Sequence, residues 1–481
     1  MNLINLTAQE IKTKVLNLEI SPLDIVEQFL NNIEQKDKTI GAFAHIDREY
    51  AEICANDLEI RLKKGEKPAL AGIPIAIKDN ISRKGYLTTC CSLSLKDYKG
   101  VYDATVVSKL REAGAIIVGT TNMDEFAMGS SCENSALHPT KNPWDLNYSP
   151  GGSSGGSAAC VAGGLVPLSL GSDTGGSIRQ PASLCGVLGL KPSYGRVSRY
   201  GLVAFASSLD QIGSFARNYQ DLNLLTEVIS GYDKKDSTSV QKDLNLNFDK
   251  DKTITVGIPE EYFSDGLNTD VRIKVEEALD YLTKNANVKT IPISLPSLKY
   301  AIATYYVIAT AEASSNLGRY DGMHYGTRFD GENLTDSFCQ SRTNGFGDEV
   351  QRRIMLGSYV LSSGYYDAYY VKALKVRRLI ANDFQDAFTK CDVIIGPTSP
   401  IAGLKLNEDV DDPMSKFLLD IYTVSANLVG LPGLSVPCGF GDKNHPIGLQ
   451  IIGNSFDEAC ILELARRFEN AGHNNKIAEI A

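Results

Sequence analysis

The chain has 481 residues, 43% apolar and 22% charged, the composition of a globular protein with ample material for a large core and a deep pocket. Its formal net charge is −10, which argues against a protein that grips nucleic acid alone, because such a protein carries a basic face; any RNA is expected on a partner. Ten cysteines lie scattered without a CxxC pair, no apolar run reaches the ~18 residues of a membrane span, and Met1–Asn5 lacks the basic and apolar regions of a signal peptide, so the expectation is a reduced, cytoplasmic chain with no membrane segment.

In chain order, Ser21-Pro22 supplies an N-cap and a proline for the first helical turn. Val26, Phe29, Leu30 and Ile33 follow at helical spacing and predict an amphipathic helix. Leu70–Ile77 is a β-rich apolar run broken by Gly72 and Pro74. Asp103 is placed to cap a helix over Ala104–Ala113 that Gly114 stops, and Ala115–Val118 reads as a short buried strand. Residues 129–190 change texture, rich in Gly and Ser and poor in charge, and Asp233–Asp251 is polar enough to predict an exposed excursion. Thr253–Ile258 and Val288–Ile293 read as strands, with a helix between them marked by Val271, Val275, Leu279 and Leu282. A helical insertion is expected near 298–390, then strands at Asp392–Gly396, Leu434–Val436 and Leu449–Ile452, and a last helix from Asp457 to Ala471. Strands alternating with helices predict an α/β fold, a large mixed sheet covered by helices on both faces, in one domain spanning 1–481.

Three segments carry chemistry. The first is Pro150-Gly151-Gly152-Ser153-Ser154-Gly155-Gly156-Ser157. A flexible linker is the plainer reading, but Ala158–Ala162 follows at once as a buried helix, so the glycines form a tight turn into it. The segment also fits the G-x-S-x-G nucleophile elbow. That motif needs a strand before it and an acid and a histidine after it, and Asn142–Pro150 makes a poor strand. Only His324, His445 and His473 lie downstream, none in a motif, so the elbow is set aside. The second segment is Gly171-Ser172-Asp173-Thr174-Gly175-Gly176-Ser177-Ile178-Arg179. Its small residues let the backbone N–H groups of Thr174, Gly175, Gly176 and Ser177 converge as an oxyanion hole, and Ser177 closes the run as a nucleophile. The third is Ile77-Lys78-Asp79-Asn80. Most lysines are surface lysines, but one at the end of an apolar run and drawn into the interior loses its proton more easily and can serve as a general base without any histidine.

Together the three segments resemble the amidase signature family, and the two serines stand 177 − 153 = 24 positions apart, the separation found there. The resemblance implies that family's fold and assigns the base to Lys78, the proton relay to Ser153 on a cis peptide bond, and the acylated nucleophile to Ser177. Asn122–Ser131, Lys141–Asp145, Tyr194–Leu202, Ala206–Gln211, Tyr305-Tyr306, Gln351–Ile354 and Ser362–Tyr366 are similar to one branch of it, the glutamine-hydrolysing A subunits of tRNA-dependent amidotransferases. The likeness spans nearly the whole chain; Leu137-His138 and 233–251 fit it less well. It implies hydrolysis of glutamine to supply ammonia for converting Glu-tRNA(Gln) to Gln-tRNA(Gln). It also implies Arg353 on the α-carboxylate, Asp420 on the α-amino group and Tyr305 as a further contact, with Arg352 and Tyr306 as rival positions. No metal-ligand or P-loop motif is present in the sequence, and the resemblance puts ATP and magnesium on a partner. The partners implied are the B and C subunits of such a complex, with the tRNA held by the B subunit. The alternative is a stand-alone amidase of the same family acting on another small amide. A non-catalytic role in assembly is a further possibility, against which the intact Lys78, Ser153 and Ser177 argue.

Overall fold

The computed structural model describes residues 3–263, 266–408, 418–470 and 477–478. Its strands are β1 (Phe43–Ile46), β2 (Pro74–Lys78), β3 (Ile116–Thr121), β4 (Tyr148–Ser149), β5 (Leu168–Asp173), β6 (Leu188–Lys191), β7 (Gln211–Ala216), β8 (Ile254–Pro259), β9 (Val288–Ile293), β10 (Val393–Pro397), β11 (Leu404–Lys405), β12 (Gly433–Phe440) and β13 (Pro446–Gly453). Eleven form one sheet in the order β1-β3-β2-β5-β7-β6-β12-β13-β10-β8-β9, and β4 pairs with β11 apart from it. The sheet is mixed. At one end β2 runs parallel to β3 and β5; at the other β8 runs parallel to β9 and β10. Between these wings β5, β7, β6, β12, β13 and β10 are antiparallel. Every residue of β2, β3 and β5 is buried, as the expected cover on both faces requires.

Local sequence accounts for most elements. The helix Pro22–Ile40 starts where Ser21 accepts a hydrogen bond from the Asp24 N–H, and Val26, Phe29, Leu30 and Ile33 are buried along one face. The helix Thr269–Asn285 buries Val271, Val275, Leu279 and Leu282 as the spacing predicts. Two boundaries differ. The run Leu70–Ile77 is strand only from Pro74, because Gly72 takes a left-handed φ of 72° in the preceding turn. Asp103 does not cap the helix Thr105–Glu112; its carboxylate accepts from the Lys84 N–H at 2.8 Å and pairs with Arg111 at 2.7 Å. The last described helix is Glu458–Glu469, and Ala471 lies outside the described residues, as does His473. The stretch 233–251 is irregular and mostly exposed, as expected, but tied at its start, where Asp233 accepts from Thr105 and Ser198.

Between β9 and β10 the chain forms the helices Ala301–Asn316, Leu334–Gly345, Asp348–Val360 and Lys372–Phe388. Among the described residues no helix is long and apolar enough to cross a membrane. For the site, the decisive feature is the parallel pair β2 and β5. Their C-terminal ends, Lys78 and Asp173, lie on neighbouring strands at the same edge of the sheet, where ligands of parallel α/β sheets bind. The helix Gly155–Ala162, buried on all sides, follows the serine turn and packs over β2, β3, β5 and β7.

Candidate active site

Lys78 ends β2 inside the protein, with its whole side chain shut off from solvent. Its Nζ lies 2.7 Å from Ser153 Oγ, 2.9 Å from Ser154 Oγ and 3.0 Å from Ser172 Oγ. Burial pushes its pKa down to about 8, although the carboxylates of Asp124, Asp173 and Asp210 and the Cys132 thiol pull the other way. Desolvation therefore wins, because the ammonium loses more solvation than the surrounding dipoles and charges return. Lys78 is therefore not a surface lysine, and a neutral amine is accessible near neutral pH.

The serine turn runs from Pro150 to the helix at Gly155, and the Gly152–Ser153 peptide bond is cis. Its anchors are the Gln180 carboxamide oxygen, which accepts from the Gly152 N–H at 2.9 Å, and the Asp124 N–H, which donates to the Ser153 carbonyl at 3.2 Å. A Cβ on Gly152 would collide with the Asp124 carboxylate, so only glycine allows this approach. The Ser154 N–H donates to the Ser177 carbonyl at 3.2 Å, which docks the second motif against the first. Within Gly171–Pro181, Ser177 is the one residue that is not fully buried. A nucleophile must be reachable, and this is the reachable serine of the loop.

The loop around Ser177 is held from below. Asp173 and Arg179 form a fully buried ion pair at 3.1 Å, and Arg179 also donates to Gln450 Oε1 and Asn427 Oδ1, each at 2.6 Å. Burial alone would raise the Asp173 pKa, but Arg179, Lys191 and Asn427 hold it down at about 2, so it is a carboxylate. Asp173 Oδ1 accepts from the Gly176 N–H at 2.8 Å. That amide of the expected oxyanion set is therefore engaged by Asp173 in this arrangement, which leaves the amides of Thr174, Gly175 and Ser177 as the candidates. Thr174 is fixed through its hydroxyl to Asp210 at 2.6 Å, and the Gly175 carbonyl accepts from Thr423 Oγ1 at 2.6 Å.

The residues expected to hold the substrate gather beside this loop. A Cβ on Gly175 would stand 2.6 Å from the Tyr305 hydroxyl oxygen, so the buried Tyr305 ring lies directly on the loop. Ser130, Tyr306, Glu349, Arg352 and Arg353 line a cavity of about 220 Å³. Asp420 reaches its wall, accepting from Ser130 Oγ at 3.1 Å and from the Tyr306 hydroxyl at 3.4 Å. Burial raises the Asp420 pKa to about 7, against the pull of Ser130 and Arg353. Arg353 is buried, lies 5.5 Å over the Tyr306 ring and donates Nε to Glu349 at 2.7 Å. Its rival Arg352 is half exposed and pairs with the same Glu349 at 2.6 Å. Tyr306, the rival of Tyr305, is the tyrosine that touches Asp420.

Sequence reasoning missed Ser154 and Ser172 around the lysine, although both stood inside the motifs. It also gave no role to Asp173 and Arg179, whose spacing within one motif was a usable signal. Thr423, Asn427 and Gln450 carried no local signal, because they reach the loop from about 250 residues away.

A buried lysine amine among serine hydroxyls, beside a glycine-rich loop at the ends of parallel strands, is an arrangement that can support amide-bond hydrolysis without histidine. A family profile described as Amidase matches residues 24–462, and the chain belongs to that family. It is similar over its full length to the A subunit of the glutamyl-tRNA(Gln) amidotransferase of Thermoanaerobacter pseudethanolicus, at 52% identity with 99% of this chain and 98% of that protein covered. The protein of the same name from Bacillus cereus is 51% identical, with both chains covered completely. The crystal structure of the Thermotoga maritima A subunit of glutamyl-tRNA(Gln) amidotransferase superposes with a TM-score of 0.83 at 41% identity, covering 100% of this chain and 99% of that one.

Proposed function

We propose that this chain is the glutaminase subunit of a glutamyl-tRNA(Gln) amidotransferase, releasing ammonia from glutamine through Lys78, Ser153 and Ser177. The observation that carries the reading is the 2.7 Å contact between the shut-off Lys78 amine and Ser153 Oγ, beside the half-buried Ser177. The names of full-length relatives support the choice of substrate over another small amide.

In this reading Ser177 Oγ attacks the carboxamide carbon of glutamine while its proton passes through Ser153 to Lys78. The Thr174, Gly175 and Ser177 amides receive the developing oxyanion. Lys78 returns the proton through Ser153 to the leaving nitrogen, ammonia departs, and water releases glutamate from Ser177. Arg353 takes the substrate's α-carboxylate and Asp420, ionised, takes its α-ammonium, with Tyr305 closing the wall.

The rest of the assembly follows from the same reading. One amidase domain spans 1–481, with the helices of 298–390 as its insertion. Ammonia passes to the B subunit, which holds the tRNA, ATP and magnesium, and the C subunit joins them in a cytoplasmic complex. The net charge of −10 supports leaving the RNA to a partner. The test is covalent: a glutamine-analogue electrophile is expected to label Ser177, mapped by peptide mass spectrometry. Labelling of a cysteine instead contradicts the serine mechanism.

A further inference from the structure

A neutral lysine amine has two N–H donors and one lone pair. Three hydroxyls surround Lys78 Nζ, those of Ser153, Ser154 and Ser172. Lys78 can act as a base only if the lone pair faces Ser153 and both N–H groups go elsewhere; Ser154 Oγ and Ser172 Oγ, at 2.9 and 3.0 Å, are the nearer acceptors, and the Ser172 carbonyl lies farther off at 3.5 Å. Ser154 is committed to accept, because its own proton goes to the Ser172 carbonyl at 3.0 Å. Among the described residues the Ser172 hydroxyl reaches no comparable backbone acceptor; its other close neighbour is Asn80, whose Nδ2 lies 3.0 Å from Ser172 Oγ.

Asn80 is almost fully buried two residues beyond Lys78, and its carboxamide oxygen has no hydrogen-bond partner among the described residues. An orphaned buried carbonyl weakens a fold, and an apolar residue of the same size would avoid the loss.

We propose that Asn80 is a positioning residue for the proton-accepting lysine. By donating to Ser172 Oγ it occupies one lone pair of that hydroxyl and turns the other towards a Lys78 N–H. The Lys78 lone pair is thereby left facing Ser153. The Asn80 side chain donates to Ser172 Oγ, beside the lysine and outside the Thr174–Ser177 run, so its effect is assigned to proton transfer and not to binding. The proposal rests on the Lys78, Ser153 and Ser177 reading above.

The titratable groups that face Lys78 are Asp124, Asp173 and Asp210 and the thiols of Cys90 and Cys132. Variants at Asn80 keep all of these groups, and they keep Asp420, whose ionisation shapes the profile at lower pH. Asn80→Asp keeps the shape and puts a carboxylate where the amide stood. That stabilises the ammonium form of Lys78, so the neutral base appears only at higher pH. Asn80→Ala removes the donor and leaves Ser172 free to rotate.

The experiment is the pH dependence of glutamine hydrolysis by the full chain with whatever partners co-purify, for the parent, Asn80→Asp, Asn80→Ala and Lys78→Ala. Asn80→Asp is expected to move the acid limb of kcat/KM up by about 1 pH unit or more, the effect of an opposite charge close to a titrating group. Asn80→Ala is expected to lower kcat about 10-fold or more, with KM within a factor of about two, the signature of a lost proton-transfer geometry and not of lost binding. An unmoved limb in Asn80→Asp, or a rise in KM with kcat intact in Asn80→Ala, overturns the proposal. If Lys78→Ala leaves the parent's rate and acid limb unchanged, the underlying reading fails instead, so the two failures are distinct.

Discussion

Burial, more than any neighbouring charge, sets the protonation of Lys78, because three carboxylates near it would otherwise favour the ammonium. Two consequences follow for single residues. Arginine is permanently charged, so Lys78→Arg is expected to be nearly as damaging as Lys78→Ala, with a rate loss on the order of 10²–10⁴ for a missing general base. A glutaminase assay checks this, and parent-like activity in Lys78→Arg removes the lysine from the chemistry. The second consequence is a pH profile. The base works deprotonated, so kcat/KM should rise with pH and level off above a Lys78 pKa of about 8. Asp420 must also be ionised to hold an ammonium, and its pKa stands at about 7, so a second loss should steepen the profile below that pH. A rate that falls between pH 7 and 9 contradicts both assignments. Lys78, Ser153 and Ser177 could be singled out as candidates in the sequence because each sits in a short motif that resembles the amidase signature. The engagement of the Gly176 amide by Asp173 was not, since a run of small residues gives the freedom of a loop and not the direction in which its N–H groups point.

In the proposed reading the loop from Thr174 to Ser177 is the element on which the chemistry hangs, and its support is electrostatic. Asp173 and Arg179 are both fully buried, and Arg179 ties the loop to Thr423, Asn427 and Gln450. Removing one partner of such a pair leaves a charge buried alone, which costs roughly 3–5 kcal/mol. Arg179→Met is therefore expected to lower the unfolding free energy by about that amount and to lower glutamine turnover as well. Urea unfolding measures the first, and a change below about 1 kcal/mol would mean that water or relaxation shields Asp173. Elements with a local cause were the legible ones. The helix Pro22–Ile40 has its cap and its stripe in sequence, and β9 matched its predicted bounds. The Asp103 cap failed because the carboxylate had a better offer in space, from Arg111 and the Lys84 N–H, than the helix start it precedes.

At the scale of the molecule, the mixed α/β character was legible from the alternation of strands and helices, but the strand order was not. Neighbours such as β6 and β12 are joined across more than 240 residues, and nothing local in either strand names the other. The division of labour proposed for the whole assembly, glutamine here and tRNA elsewhere, is the central claim, and a choice of nitrogen donor tests it most directly. Ammonia supplied in solution bypasses Ser177 and reacts where the tRNA is held. The measurement is Gln-tRNA(Gln) formation by the purified complex carrying Ser177→Ala, with glutamine and separately with a high concentration of ammonium salt. The account predicts that glutamine-driven amidation is lost, by a factor on the order of 10³ or more for a missing nucleophile, while ammonium-driven amidation stays at the parent's level. Equal loss with both donors, or amidation from glutamine that survives the substitution, contradicts it.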